Sequence, residues 1–138
     1  MEIRDNAYYL GGLKTTDLAE KYGSPLYLYD LETIKRQYDR ITKAFSKSKV
    51  RINFACKALT NINILKYFNE LGAGLDAVSI QEVWLGLQAG FKPADIMYTP
   101  NCVSMDEIDL AVKEGVKINI DNISILEQFG HKYGESIP

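Results

Sequence analysis

The sequence predicts an α/β chain with a parallel sheet, forming the first four βα units of a (β/α)8 barrel. Three observations carry this expectation. Strand-like runs begin near Val50, Gly74, Asp95 and Val116, roughly 21 to 24 residues apart, the span of one strand, one helix and two short loops. Between them, apolar residues recur three and four apart behind capping residues and in front of glycines. Strands alternating with helices argue for parallel pairing through right-handed crossovers. In the last run (VKINI), Lys117, Asn119 and Asp121 share one face while Val116, Ile118 and Ile120 share the other. A sheet buried on both faces should be more uniformly apolar, so a barrel with a partly polar lumen fits better.

Taken in order, Tyr8, Tyr9 and Leu10 before Gly11 and Gly12 suggest a short edge strand. Thr16 and Asp17 can cap a helix over residues 18–22, stopped by Gly23. Residues 25–29 (PLYLY) read as a strand on aromatic and aliphatic content. Asp30 caps a long helix with a stripe of Leu31, Ile34, Tyr38, Ile41 and Phe45. Its other face is mixed in charge and reads as solvated.

Residues 50–56 alternate as the central strand, followed by Lys57 and by Thr60 and Asn61 as caps of the next helix. That helix is lined by Ile62, Leu65, Phe68 and Leu71 and ends at Gly72. Residues 74–78 (GLDAV) form a short strand. Ser79 with Glu82 has capping-box form before a helix faced by Val83, Trp84 and Leu87 and ended by Gly90. Residues 95–99 (DIMYT) are the next strand, and residues 100–103 a loop. Ser104 with Glu107 forms a second capping box, with Ile108, Ala111 and Val112 on its helix. Asp121 or Asn122 opens the last helix, with Ile123, Leu126 and Phe129 on one side. Ser136, Ile137 and Pro138 look like the approach to another strand.

The chain has 138 residues, 46% hydrophobic and 25% charged, ordinary for a globular domain. Four βα units fall short of the roughly 200 residues or more that a closed barrel needs. The chain is therefore expected to be the N-terminal portion of a longer protein, the alternative being a compact four-unit domain that covers its own sheet edges. A net charge of −2 leaves no basic footprint for nucleic acid, and no apolar run is long enough for a membrane helix. No secretory pattern opens the sequence, so cytoplasm is the expected location. Cys56 and Cys102 lack metal-ligand spacing, and one histidine, His131, rules out a multi-histidine metal site within this chain. No metal is expected.

Lys57 is the principal candidate. A lysine at a strand end is ordinarily a solvated surface residue. At the carboxyl end of a strand in an α/β fold, however, it stands where such folds place their chemistry. Asp76 could serve as a helix cap, but Ser79 with Glu82 fills that role better. Cys56 alternates away from Lys57 and reads as a packed core thiol.

The stretch FACKALTN resembles the aromatic-Ala-x-Lys-Ala motif of the fold-type III pyridoxal phosphate decarboxylases. The blocks YGSPLYLYD, LGAGLDAVSIQEVWLGLQAGF and GVKINIDNISILE are also similar, and they follow in that family's order from about residue 18 onward. The resemblance implies an alanine-racemase-like barrel plus a β-sandwich domain. Residues 1–28 would be an N-terminal arm contributing to the sandwich, and residues 29–138 the N-terminal half of the barrel. It implies a homodimer and a small amino-acid substrate, with pyridoxal 5′-phosphate as cofactor. Lys57 matches the lysine that binds the cofactor as a Schiff base, and Asp76 an acidic residue near it. Ser79 and Asn101 could approach the cofactor, Ser79 being foremost a helix cap.

The reaction implied is decarboxylation of meso-diaminopimelate to L-lysine and CO2. Alternatives are decarboxylation of arginine, ornithine or carboxynorspermidine, or a non-catalytic cofactor-binding or half-barrel module. The chain departs from the family pattern at Asn101-Cys102-Val103, where the family often has Asn-x-Lys. His131 is a surface residue and does not match the family's ring-stacking histidine. The phosphate loop, the partner of the pyridine nitrogen, the substrate carboxylate binders and the acid cysteine would belong to later segments. The isolated 138-residue chain should therefore release little or no CO2 from meso-diaminopimelate, and measurable release by the purified chain would overturn that expectation.

Overall fold

The computed structural model describes residues 1–134, and the chain divides into two units, Met1–Val50 and Arg51–Pro138. The suggested strand approach at Ser136, Ile137 and Pro138 lies outside the described residues.

The first unit opens with an antiparallel meander of β1 (Glu2–Arg4), β2 (Ala7–Leu10) and β3 (Leu13–Lys14). Asp5 and Asn6 adopt φ of 47° and 58°, and Gly11 and Gly12 adopt 56° and 79°. Paired positive φ values belong to the two-residue turns whose twist matches that of the strands they join. The segment expected as an edge strand is thus the middle strand, with Glu2 opposite Tyr9 and Leu10 opposite Leu13. Helix α1 (Thr15–Tyr22) begins earlier than expected and has no side-chain cap. Instead of capping, the Thr15 hydroxyl donates to the Tyr8 carbonyl at 3.2 Å.

Residues 25–29 form no strand. Pro25 has no N–H to offer a ladder and Tyr27 is 84% exposed, so a strong β preference finds no partner. Helix α2 (Leu31–Ala44) begins as expected at Asp30, whose carboxylate accepts from the Thr33 amide at 3.1 Å and the Thr33 hydroxyl at 2.8 Å. Ile34 and Tyr38 on its stripe are half-buried, while Leu31, Ile41 and Phe45 are exposed.

The second unit is a parallel sheet in the order β4 (Asn53–Ala55), β5 (Gly74–Ala77), β6 (Ile96–Tyr98) and β7 (Lys117–Ile118). Both β4 and β7 are shorter than expected. Helices α3 (Ile62–Glu70), α4 (Ile80–Gln88) and α5 (Met105–Glu114) connect the strands, and α6 (Ile123–Tyr133) follows the last. All four starts are capped by the side chains of Asn61, Ser79, Ser104 and Asn122. Glu82 completes its capping box by accepting from the Val78 amide at 2.8 Å.

The core lies between the sheet and these helices. Cys56, Leu65, Leu75, Ala77, Val83, Ile96, Tyr98, Ile108 and Ala111 are essentially inaccessible. Gly86 lets α4 approach the sheet, because a Cβ there would collide with Leu75 Cδ2 and lie 3.3 Å from Ile96 Cδ1. Two apolar faces differ from expectation. Trp84 is 40% exposed and donates its indole N–H to Glu114 at 2.9 Å, a polar contact that suits the rim. On α6, Ile125 and Phe129 pack on the core while Ile123 and Leu126 face out.

Helix α6 is also tied to α5 electrostatically. Lys132 forms an ion pair with Asp109, and the Tyr133 hydroxyl donates to the same carboxylate at 2.6 Å. Lys132 first and Tyr133 second hold the Asp109 carboxyl below the usual aspartate range. A lowered folded value contributes stability above the unfolded value of about 3.9 and loses it as pH falls through the folded one. Asp109→Asn should therefore speed amide hydrogen exchange in the last turns of α6 at neutral pH. The difference from wild type should fade as pH falls through the lowered folded-state value of Asp109; identical exchange at neutral pH would contradict the tie.

Candidate functional site

The two faces of the parallel sheet are chemically unlike. Phe54, Leu75, Ala77, Ile96, Tyr98 and Ile118 alternate toward the helices, and register pairs Phe54 with Leu75, Leu75 with Ile96, and Tyr98 with Ile118. The other face carries Asn53, Ala55, Gly74, Asp76, Met97 and Lys117 in register. Gly74 has no room for a side chain, since a Cβ would collide with Asn53 Oδ1 and lie 3.0 Å from the Asp95 carbonyl. Near the amino ends of the strands this face holds a cavity of about 200 Å³ lined by Arg51, Asn53, Asp95, Met97 and Lys117 among others. Arg51 and Asp95 form an ion pair there.

The sequence candidates gather at the opposite, carboxyl end. Strand β4 ends in a single 3-10 turn, Cys56–Ala58, closed by the Leu59 amide donating to the Cys56 carbonyl at 3.0 Å. Cys56 drops into the core and Lys57 is exposed. No ion pair or hydrogen bond among the described residues engages the Lys57 amine. Asp76 lies opposite Ala55, two residues before Lys57, and opposite Met97 on the other side. It is half-buried, and its Oδ1 accepts from the Thr99 hydroxyl at 2.6 Å.

Ser79 is half-buried, and its oxygen accepts from the Glu82 amide at 3.3 Å, so it serves α4 as a cap. Asn101 is exposed in the loop after β6, next to Cys102 at φ 55°. His131 is exposed on α6. The sheet thus brings Lys57 and Asp76 onto adjacent strand ends, while Ser79 and Asn101 stand on the loops that follow β5 and β6.

Sequence reasoning missed Thr99. The signal was present: in DIMYT, Met97 and Thr99 share the strand face opposite Ile96 and Tyr98. What the sequence lacked was the pairing that sets Met97 against Asp76.

The model of the pyridoxal-dependent decarboxylase, pyridoxal binding domain, matches residues 31–136. Diaminopimelate decarboxylase of Methanothermobacter thermautotrophicus is 42% identical over 129 residues, covering 91% of this chain and 30% of that protein. The same enzyme of Aquifex aeolicus is 32% identical over 98% of this chain and 33% of its own length. Among solved structures, diaminopimelate decarboxylase from Methanocaldococcus jannaschii in co-complex with L-lysine superposes with a TM-score of 0.86. It is 29% identical and covers 97% of this chain and 33% of that one. Lysine/ornithine decarboxylase from Vibrio vulnificus complexed with cadaverine gives a TM-score of 0.78 at 25% identity, over 86% of this chain and 32% of that one. The chain thus spans about a third of the length of the relatives it matches.

The two thiols of the chain stand in opposite environments. Burial first, then the negative charges of Glu82 and Asp76, push the Cys56 thiol up to about 11. Cys102 is exposed. At pH near 8 an aromatic disulfide reagent should therefore modify Cys102 quickly and Cys56 only after denaturant is added. Cys102→Ser should leave no fast-reacting thiol; rapid modification of two thiols in the native wild type would refute the burial of Cys56.

Proposed function

The chain belongs to the pyridoxal-dependent decarboxylases, and from that we propose that it is the Lys57-bearing part of an enzyme that decarboxylates meso-diaminopimelate to L-lysine and CO2. The observation that supports this most is the unengaged Lys57 amine one turn beyond Ala55, whose register partner is the carboxylate-bearing Asp76. In the proposal the whole protein is a homodimeric cytoplasmic enzyme. Its parallel sheet, within residues 29–138, is half of a (β/α)8 barrel, and residues 1–28 are an arm of a β-sandwich domain.

The donor set fits the cofactor. A lysine holds an aldehyde through its amine, and Lys57 is not committed to any carboxylate among the described residues. Asp76 is held by a neutral hydroxyl rather than by a cation, so its charge is not already neutralised. When bound, pyridoxal phosphate supplies an electron sink for the electron pair left behind as CO2 departs.

This chain's residues divide the remaining work. Lys57 anchors the aldehyde end. Asp76 supplies a carboxylate on the neighbouring strand end, opposite Ala55. Asn101, on the loop after β6, and Ser79, beyond its capping role, border the same end and contact the cofactor in this reading.

A different basic amino acid or polyamine precursor as substrate is the second reading, supported by the likeness to lysine/ornithine decarboxylase. The 42% identity to a diaminopimelate decarboxylase favours the first. Decarboxylation assays of the full-length protein on meso-diaminopimelate, arginine, ornithine, lysine and carboxynorspermidine separate the two. Borohydride reduction of the loaded full-length protein followed by peptide mapping should place the label on Lys57. Lys57→Ala should lower kcat by about a thousandfold or more, as losing a covalent anchor does. Label on another lysine would refute the assignment.

A further inference from the structure

We infer that Thr99 is a positioning residue, whose hydroxyl holds the Asp76 carboxylate in a fixed orientation for the Lys57 nitrogen. The inference rests on the proposed roles of Lys57 and Asp76, and its evidence is local. Tyr98 is completely buried on the helix side, which by strand alternation turns Thr99 to the face of Asp76. The Thr99 amide donates to the Ala77 carbonyl at 2.8 Å, extending the β5–β6 ladder one residue past β6. The Asn119 amide donates to the Tyr98 carbonyl at 2.9 Å on the other side. The backbone that carries the hydroxyl is therefore held from both neighbouring strands.

From that position the hydroxyl reaches Asp76 Oδ1 at 2.6 Å, a short hydrogen bond of the kind made to an ionised oxygen. A donor to the charged form of a carboxyl favours that form. Asp76 Oδ2 takes no hydrogen bond from the described residues, so one oxygen is pinned and the other remains available. Asp76 does not need Thr99 for stability in the way a buried carboxylate would, because it is only half-buried. The bond does restrict which way the carboxylate points.

The test uses the full-length holoenzyme and four variants: Thr99→Val, Thr99→Ser, Asp76→Asn and the Thr99→Val/Asp76→Asn double substitution. The first readout is the pH midpoint at which the bound cofactor loses its long-wavelength absorbance, which reports the charge on the Lys57-linked nitrogen. A well-placed carboxylate raises that midpoint. Thr99→Val should lower it by about one pH unit, a tenfold effect of the size expected for one hydrogen bond to a charged group. Thr99→Ser should keep the wild-type midpoint.

In kinetics, Thr99→Val should lower kcat about tenfold while KM stays within about twofold. In the double variant it should add nothing to Asp76→Asn. Thr99→Ala replaces valine if the second methyl prevents folding. Midpoints that do not move, loss in Thr99→Ser equal to that in Thr99→Val, or additive effects in the double variant would each overturn the positioning role while leaving Lys57 and Asp76 in place. Borohydride label on a lysine other than Lys57 would overturn the parent reading and this inference together.

Discussion

Burial of Leu75, Ala77, Ile96 and Tyr98 beneath α3, α4 and α5 is the constraint on which the second unit depends. Successive strand residues point to opposite sides, so sending these four inward sends Asp76, Met97 and Thr99 to the other face. A slip of one residue in β5 would put Asp76 into the core, and one in β6 would put Met97 and Thr99 there. An uncompensated carboxylate there costs several kcal/mol, which specifies the register. Packing on one side therefore decides which polar groups meet on the other. The short contact between Thr99 and Asp76 is a consequence of apolar burial that neither residue takes part in.

The helices reinforce the same end of the sheet. Each crossover leaves a strand at its carboxyl end, and the four helices that follow all begin with a side chain accepting from their own first-turn amides. Each cap engages one or two of those amides. The candidate side chains at this end stand on the strand ends and the loops just beyond them. Lys57 emerges from a 3-10 turn rather than from the strand itself. That turn lets Cys56 enter the core and leaves the next residue exposed within one step of the chain. The polar pair Arg51 and Asp95 and the cavity beside it lie toward the amino ends, separate in the sheet from the proposed chemistry.

The division of labour in the proposed enzyme follows from this geometry. The carboxylate of Asp76 is held in the ladder between β4 and β6, and the Lys57 amine stands on the 3-10 turn just beyond the end of β4. Asn101 on its exposed loop is the least constrained member of the set. A chain of about a third of the relatives' length carries these two groups complete.

Spacing and capping chemistry were legible in the sequence because they depend on nearest neighbours. The strand recurrence, the parallel alternation, the caps at Asp30, Asn61, Ser79, Ser104 and Asn122, and the core position of Cys56 all follow from residues within a few positions of one another. Where partners lie far away, local preference failed. Residues 25–29 have strand composition but no strand to pair with, and Tyr8–Leu10 became a central strand because turns on both sides supplied neighbours. Trp84 and Leu126 fit an apolar stripe by spacing yet lie at the rim, since the width of a buried stripe is set by what packs against it. By itself the sequence determined the alternation of strands and helices and the placing of Lys57 and Asp76 at strand ends. Only the tertiary structure decided the register across β5 and β6 that brings Thr99 to Asp76, because register is fixed by long-range burial rather than by local propensity.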